Sequence, residues 1–154
     1  MFSIHNYEEK FYSCLIQFLQ ECLPQSERKL ELNGCHQIYS DINDSFQYFY
    51  CLFDGKNIIG TVGLKHLDIE KCELKSLYLF KKYHGKRLGY QLLQTIIWKA
   101  KQDNYKEMYL DTLSSSQRAI SLYKKMGFLK TERYNMNYTA DVFMVLKLGD
   151  EFKK

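Results

Sequence analysis

Residues 83–90 read YHGKRLGY and join a predicted strand at residues 72–80 directly to a predicted helix that begins at Leu88. The first turn of a helix has unpaired backbone N–H groups and carries the positive end of the helix dipole, so it can hold a phosphate group. Gly85 and Gly89 let the backbone approach such a ligand because glycine has no Cβ. Taken alone, two glycines between a strand and a helix indicate no more than a turn, so the phosphate hypothesis needs further support.

Basic residues surround this turn. The chain has 154 residues, with 22 Lys and Arg against 18 Asp and Glu, which makes a net charge of +4. No Asp or Glu occurs from Leu74 to Gln102, whereas Lys81, Lys82, Lys86 and Arg87 lie close together within that range. Such a cluster attracts a polyanion, although so small a net charge does not by itself indicate nucleic-acid binding. A solvated basic face remains the alternative.

Hydrophobic periodicity predicts an α+β chain without repeats or linkers. Helices are predicted at residues 7–23, weakly at 26–34, from Leu88 to Ala100, and at 114–125, where Gly127 suits the C-terminal cap. Strands are predicted at residues 46–53, 58–67, 72–80, 107–112 and 142–148, and a turn at 54–57 joins the first two as a hairpin. This order predicts an antiparallel meander followed by alternating strands and helices in one mixed sheet.

A second motif follows the first helix of that alternating part. Residues 118–128 read RAISLYKKMGF. Together with residues 73–90, they resemble the two central motifs of the GNAT superfamily of acyl-CoA-dependent N-acyltransferases, in their usual order and spacing. Residues 84–89 resemble the acyl-CoA signature Gln/Arg-x-x-Gly-x-Gly/Ala, and residues 119–128 resemble the helix motif Ala-x-x-Leu-Tyr-x-x-x-Gly-Phe. With weaker likeness from residue 46 to residue 148, the resemblance covers about two thirds of the chain.

The resemblance implies a fold and a reaction. The fold is the GNAT α+β architecture, a mixed, mostly antiparallel, splayed sheet flanked by helices, in a single domain over residues 1–154. The reaction is transfer of an acetyl group from acetyl-CoA, used as a cosubstrate, to an amine by direct attack in a ternary complex. A catalytically silent acyl-CoA-binding sensor stays open as the alternative, and a basic module that binds nucleic acid is less favoured.

The resemblance also implies an acyl-CoA site. Backbone amides of the strand before the basic turn would pair with the pantetheine arm, and the turn itself would hold the pyrophosphate. One strand amide would also polarise the thioester carbonyl. The residues are Leu77, Tyr78 and Leu79 on the strand, His84, Gly85, Lys86, Arg87, Leu88, Gly89 and Tyr90 in the turn, and Ser116 and Ala119 in the second motif.

Two positions depart from the family signature. His84 stands where the family usually has Gln or Arg, and Arg87 stands where it has Gly. A left-handed conformation at Arg87 would strain the backbone by about 1 kcal/mol. Because the pattern from Leu88 onward is helical, we expect Arg87 instead in the first turn of the helix, where its guanidinium reaches a phosphate.

Two residues are candidates for the chemistry. Thioester aminolysis needs a neutral amine and a proton for the departing thiolate. Tyr123 lies where the family often keeps a tyrosine that protonates the sulfur, although its spacing alone also fits a core residue of an amphipathic helix. Glu73 lies where family members sometimes have a general base that acts on the ammonium, often through water. Acids at this place elsewhere only bind the substrate or end a turn.

The amine acceptor, a small molecule or a peptide, cannot be read from the sequence. The resemblance supplies acceptor candidates by region only, and they are Tyr48, Tyr50, Tyr134, Tyr138 and Asp141. Asp111 and Thr112, at the end of a predicted strand, fit a cap of the next helix as well as a substrate contact.

Other features bear on compartment and cofactors. The five cysteines lack the two-residue spacing of zinc or redox sites, and their number is odd, so free thiols in a reducing compartment are expected. The four histidines lack metal-ligand spacing, so no metal is expected. Neither a secretory signal nor a membrane span is visible. We therefore expect a cytoplasmic protein without a membrane partner, and a homodimer stays open.

Overall fold

The computed structural model of the chain describes residues 1–26, 28–32 and 34–149. In that part the helices are α1 (Tyr12–Cys22), α2 (Ile42–Ser45), α3 (Leu88–Gln102) and α4 (Gln117–Lys125). The strands are β1 (Phe2–Asn6), β2 (Tyr48–Asp54), β3 (Asn57–His66), β4 (Lys71–Leu79), β5 (Glu107–Thr112), β6 (Leu129–Lys130) and β7 (Val142–Lys147). They form one sheet in the order β1-β2-β3-β4-β5-β7-β6.

The pairing within the sheet confirms the predicted fold class. β1 pairs antiparallel with β2, and β2 with β3. β7 pairs antiparallel with both β5 and β6. β4 pairs parallel with β5, where Glu73 lies opposite Tyr109. The sheet is therefore mixed and mostly antiparallel, as the sequence predicted.

The chain divides into two compact units, of which the first comprises Met1–Lys65 and Lys75–Ile96. Its core is rich in aromatic residues, of which Phe49 and Phe53 come from β2. The buried face of α1 presents Leu15, Phe18, Leu19 and Cys22 at helical spacing, and these residues share one apolar cluster with the aromatic residues of β2. Burying a side chain of this size contributes about 1.5–3 kcal/mol, so this face of α1 holds the helix in place.

The second unit comprises His66–Leu74 and Ile97–Lys154. The residues of β4 up to Leu74 belong to this second unit, and those from Lys75 onward belong to the first unit. β5 alternates buried and partly exposed residues, and α4 buries Ile120 and Tyr123. The α4 helix ends before Gly127, whose φ of +104° is the left-handed conformation expected at this cap.

Three details differ from the sequence-based predictions. β1 and β6 were not predicted, because β1 is a largely exposed strand and β6 has only two residues, both exposed. The helix expected at residues 26–34 does not form in residues 28–32, and Glu27 and Asn33 lie outside the described residues. Instead, a short 3-10 helix covers Gln37–Ser40 and α2 follows it, with the Asp41 side chain accepting a hydrogen bond from the Asp44 backbone N–H at 3.2 Å.

Candidate active site

The basic turn leads directly into α3, a helix of 15 residues. Gly85 has a φ of +86° and Arg87 a φ of +62°. The expectation that Arg87 lies in the first helical turn is therefore wrong. The Arg87 carbonyl does accept a hydrogen bond from the Gln91 N–H at 3.1 Å, but its own backbone turns the chain into the helix. Helical structure from Leu88 onward thus does not require a helical residue before it.

The Arg87 side chain offsets part of this backbone strain. Its guanidinium carbon lies 4.6 Å from the centre of the Tyr90 ring, within the range of a cation–π interaction. The left-handed conformation explains why a glycine suits this place in the family signature, since glycine reaches a positive φ without strain. Arginine keeps the same turn and adds a positive charge, which is exposed together with those of Lys81, Lys82 and Lys86.

Two side-chain hydrogen bonds connect this turn and the residue before it to other residues of the first unit. The His84 imidazole donates from Nε2 to the Leu79 carbonyl at 3.3 Å, which anchors the turn to the end of β4. The Tyr83 hydroxyl donates to Asp54 Oδ2 at 2.7 Å. Leu88 is buried, with 3% of its surface exposed, whereas Gly89 and Tyr90 are partly exposed.

The strand before the turn is irregular. Ser76 of β4 has a φ of +61°, which a regular strand does not allow. The candidate pantetheine residues Leu77, Tyr78 and Leu79 follow it directly, and all three are partly exposed. On β3, a Cβ added at Gly60 would lie 3.0 Å from the Tyr78 carbonyl oxygen, so the two strands approach closely here.

In the second unit, Glu73 is a buried carboxylate held by two donors. It is 4% exposed. The Tyr134 hydroxyl donates to its Oε2 at 2.5 Å, and Asn135 Nδ2 donates to the same oxygen at 3.2 Å. Burial, followed by the charge of Glu73, raises the pKa of Tyr134, so the phenol remains a donor throughout the neutral range. Two donors on one oxygen hold the Glu73 carboxylate in a single orientation.

The same asparagine amide also reaches a second carboxylate. Asn135 Nδ2 donates to Asp111 Oδ2 at 2.6 Å, and Asn137 Nδ2 donates to Asp111 Oδ1 at 3.0 Å. Asn135 Oδ1 accepts a bond from the Asn137 backbone N–H at 3.0 Å, which only an oxygen can do, so the orientation of the amide is fixed by its neighbours. We call Glu73, Asp111, Tyr134, Asn135 and Asn137 the carboxylate cluster.

Sequence reasoning identified only part of this cluster. Glu73 was a candidate base, Tyr134 was a candidate by region, and Asp111 was open between two roles. The oxygens of Asp111 bind asparagines from the segment after β6, rather than the start of α4. Asp141 lies near that start, because it accepts bonds from the backbone N–H and the hydroxyl of Ser114, both at 2.7 Å. These two bonds lower the pKa of Asp141.

The residues of the second motif lie on or just before α4. Tyr123 is 6% exposed, and its ring centre is 5.7 Å from that of Phe128. Ser116 is the N-terminal cap residue of α4, and its carbonyl accepts a bond from the Ile120 N–H at 3.0 Å. Ser116 and Ala119 are both partly exposed, so each is accessible to a ligand.

Some classes of site are not seen within the described ranges. In residues 1–26, 28–32 and 34–149, no group of three or more His, Cys, Asp or Glu side chains could hold a metal ion. None of the helices in these ranges is long and apolar enough to span a bilayer. All five cysteines are free thiols, and Cys14 and Cys35 are exposed.

Comparison with known families and sequences gives a consistent result. The model of the acetyltransferase (GNAT) family matches residues 7–128. An uncharacterized N-acetyltransferase of Dictyostelium discoideum is 38% identical over 77 residues, which are 50% of this chain and 36% of that protein. One of Schizosaccharomyces pombe is 41% identical over 79 residues, 51% of this chain and 48% of that protein. The chain thus matches less than half the length of these two curated relatives.

Solved structures share the fold. An acetyltransferase of the GNAT family from Staphylococcus aureus superposes with a TM-score of 0.87 at 23% identity, covering 96% of this chain and 99% of the other. An N-acetyltransferase from Thermoplasma acidophilum, solved in complex with coenzyme A, superposes with a TM-score of 0.75 at 21% identity, again covering 96% and 99%.

Proposed function

Because the chain belongs to the GNAT family of acetyltransferases, we propose that it transfers an acetyl group from acetyl-CoA to an amine. The observation that carries this proposal is the turn before α3, where Arg87 adopts the left-handed backbone that suits the glycine of the family signature. The departure at Arg87 changes the side chain and leaves the turn intact. The exposed Arg87 guanidinium would add positive charge at the proposed pyrophosphate site.

The phosphates of the cosubstrate would bind at this turn. The N–H groups of the first turn of α3 and the positive end of its dipole favour an anion. Lys81, Lys82, Lys86 and Arg87 add exposed positive charge, so the affinity should fall as salt screens them. The amides of Leu77, Tyr78 and Leu79 are the proposed partners of the pantetheine arm.

The proposed chemistry uses one acid and one base. The amine nitrogen attacks the thioester carbonyl carbon, and the C–N bond forms while the C–S bond breaks. Tyr123 gives its hydroxyl proton to the departing sulfur, and the second proton that the nitrogen loses on becoming an amide returns to the tyrosine oxygen through water. Glu73 takes the proton that the ammonium must lose before it attacks, directly or through water. The donors Tyr134 and Asn135 support this role, since they hold a buried carboxylate in one orientation.

Two experiments test this function. Coenzyme A at 100 times its dissociation constant should stabilise the fold by about 2.7 kcal/mol. If millimolar coenzyme A leaves the melting temperature unchanged, the result contradicts both the acetyltransferase hypothesis and the acyl-CoA sensor hypothesis. In a second experiment, amines and peptides with free N-termini are incubated with acetyl-CoA, and acetylated products are measured by mass spectrometry. A thiol reagent is unsuitable as a detector because Cys14 and Cys35 are exposed.

Matched lysine variants locate the phosphate site. Lys86→Ala removes a charge beside the first turn of α3, whereas Lys99→Ala removes one in its last turn, where the dipole is negative. We expect Lys86→Ala to weaken coenzyme A binding several-fold at low salt and Lys99→Ala to leave it unchanged.

Coenzyme A binding without any acetylated product would favour the sensor. Binding of an oligonucleotide that coenzyme A does not displace would favour the nucleic-acid module.

A cytoplasmic location belongs to the same proposal. Five free thiols fit a reducing compartment.

A further inference from the structure

The irregular point in β4 is the one place where a described strand residue leaves the extended region for a positive φ. Ser76, at φ +61°, interrupts β4 between Lys75 and Leu77. A serine in this conformation is strained, and such a conformation persists only where the surroundings hold it. The contacts of Ser76 therefore matter for the course of the strand.

Two buried hydroxyl groups hold Ser76. The Tyr39 hydroxyl hydrogen-bonds the Ser76 hydroxyl, and the Thr61 hydroxyl donates to the Ser76 carbonyl at 2.7 Å. Tyr39 is 2% exposed and Thr61 is fully buried. Burial raises the pKa of Tyr39 well above its usual value, so its hydroxyl stays protonated. The side chain and the backbone of Ser76 are thus each bound by a different element.

The neighbouring strand is adapted to this irregular point. Gly60, next to Thr61, leaves room for the Tyr78 carbonyl, which a Cβ would meet at 3.0 Å. Just beyond the end of β4, the Phe80 N–H donates to the Ile59 carbonyl at 3.1 Å. Three successive residues of β3 therefore accommodate the path that β4 takes after Ser76.

We propose that Tyr39 is a positioning residue for acyl-CoA binding, because its hydroxyl holds Ser76 in the left-handed conformation that sets the path of Leu77–Leu79. This inference rests on the proposed function, in which the amides of Leu77–Leu79 bind the pantetheine arm. Tyr39 is 2% exposed, so we assign it no contact with the cosubstrate or the reacting atoms. It acts through Ser76, and Thr61 supports it from β3.

The decisive test compares two variants of Ser76 by calorimetric titration with coenzyme A. Ser76→Gly and Ser76→Ala both lose the hydroxyl that Tyr39 binds. Only alanine is strained at a positive φ, since glycine adopts it freely. We expect the dissociation constant of Ser76→Ala to rise about three- to tenfold, while that of Ser76→Gly stays within about twofold of the wild type.

The tyrosine is tested in the same assay. Tyr39→Phe removes one hydroxyl from the core. Loss of a hydrogen bond of this kind should raise the dissociation constant for coenzyme A about three- to tenfold. Adding Ser76→Gly to Tyr39→Phe should restore most of the affinity, because glycine no longer needs the hydroxyl to keep its conformation. A residue that only stabilises the fold would not be rescued in this way.

The outcomes separate the two proposals. A wild type that does not bind coenzyme A would overturn the proposed function and this inference with it. If the wild type binds, equal affinities for Ser76→Ala and Ser76→Gly would overturn the inference alone. If Tyr39→Phe does not fold, the Ser76 pair still decides, because both of its members keep the tyrosine.

Discussion

Replacing Tyr134 with phenylalanine removes one hydroxyl from the carboxylate cluster and leaves the ring. That hydroxyl donates to Glu73 Oε2 at 2.5 Å, and Glu73 is 4% exposed. The ring contacts, 4.9 Å between ring centres to Tyr109 and 5.8 Å to Phe143, should survive. The substitution therefore tests a single hydrogen bond to a buried carboxylate.

The expected magnitude follows from the chemistry of that bond. A hydrogen bond to a charged group contributes about 1.5–3 kcal/mol. Asn135 continues to donate to the same oxygen at 3.2 Å, so Glu73 does not lose every partner. We expect the free energy of unfolding to fall by about 2 kcal/mol, which for a chain of this length lowers the melting temperature by about 4–8 °C.

Urea unfolding at neutral pH measures this change, and the same segment offers a control. Tyr138 is 70% exposed, and its hydroxyl lies 3.5 Å from the Met136 sulfur, so Tyr138→Phe should change the free energy of unfolding by less than about 0.5 kcal/mol. A double-mutant cycle with Glu73→Gln should give a coupling energy of about 1 kcal/mol or more. Equal stabilities for Tyr134→Phe and Tyr138→Phe would refute the reasoning.

Three further predictions concern single residues. Arg87→Gly should be more stable to urea than Arg87→Ala by about 1 kcal/mol. Both variants lose the cation–π contact, and only glycine relieves the strain at φ +62°. Equal stabilities of the two variants would contradict a left-handed Arg87. Tyr123→Phe should reduce turnover by about 10²–10⁴-fold at unchanged acetyl-CoA affinity, and a loss under about threefold with chemistry rate-limiting would make Tyr123 a core residue only. The raised pKa of Tyr134 means that the unfolded tyrosine loses its proton first, near pH 10. The stability it confers is therefore complete below pH 10 and declines above it, and from pH 9 to pH 11 the wild type should lose more free energy of unfolding than Tyr134→Phe.

The sequence predicted the parts of the fold that depend on local patterns. Periodicity located α3 because its apolar residues recur at helical spacing, and it located β7 because that strand begins with five consecutive apolar residues. The turn at residues 54–57 was visible from its residue types, and Gly55 has the positive φ expected there. β1 and β6 escaped prediction because an exposed or very short strand leaves no such pattern.

The candidate site was only partly readable for a related reason. Glu73 was a candidate through its place before the basic turn, yet its partners Tyr134 and Asn135 lie some 60 residues later, in a segment without regular structure. Sequence spacing does not predict a contact between residues so far apart along the chain, because only the tertiary fold brings them together. Arg87 was misjudged because the helical pattern from Leu88 onward indicated a helical residue before it, whereas Arg87 has a left-handed backbone with a φ of +62°.

The single amide of Asn135, shared by Glu73 and Asp111, has a consequence for protein engineering. Acceptor preference in an enzyme is commonly altered by grafting a surface loop from a relative, and the segment from Thr131 to Asp141 would be an obvious choice. That exchange would also remove Tyr134, Asn135 and Asn137, and with them the donors they supply to both carboxylates. A graft that keeps these three side chains and varies the exposed Met136 and Tyr138 would change the outer surface while leaving the carboxylates supported.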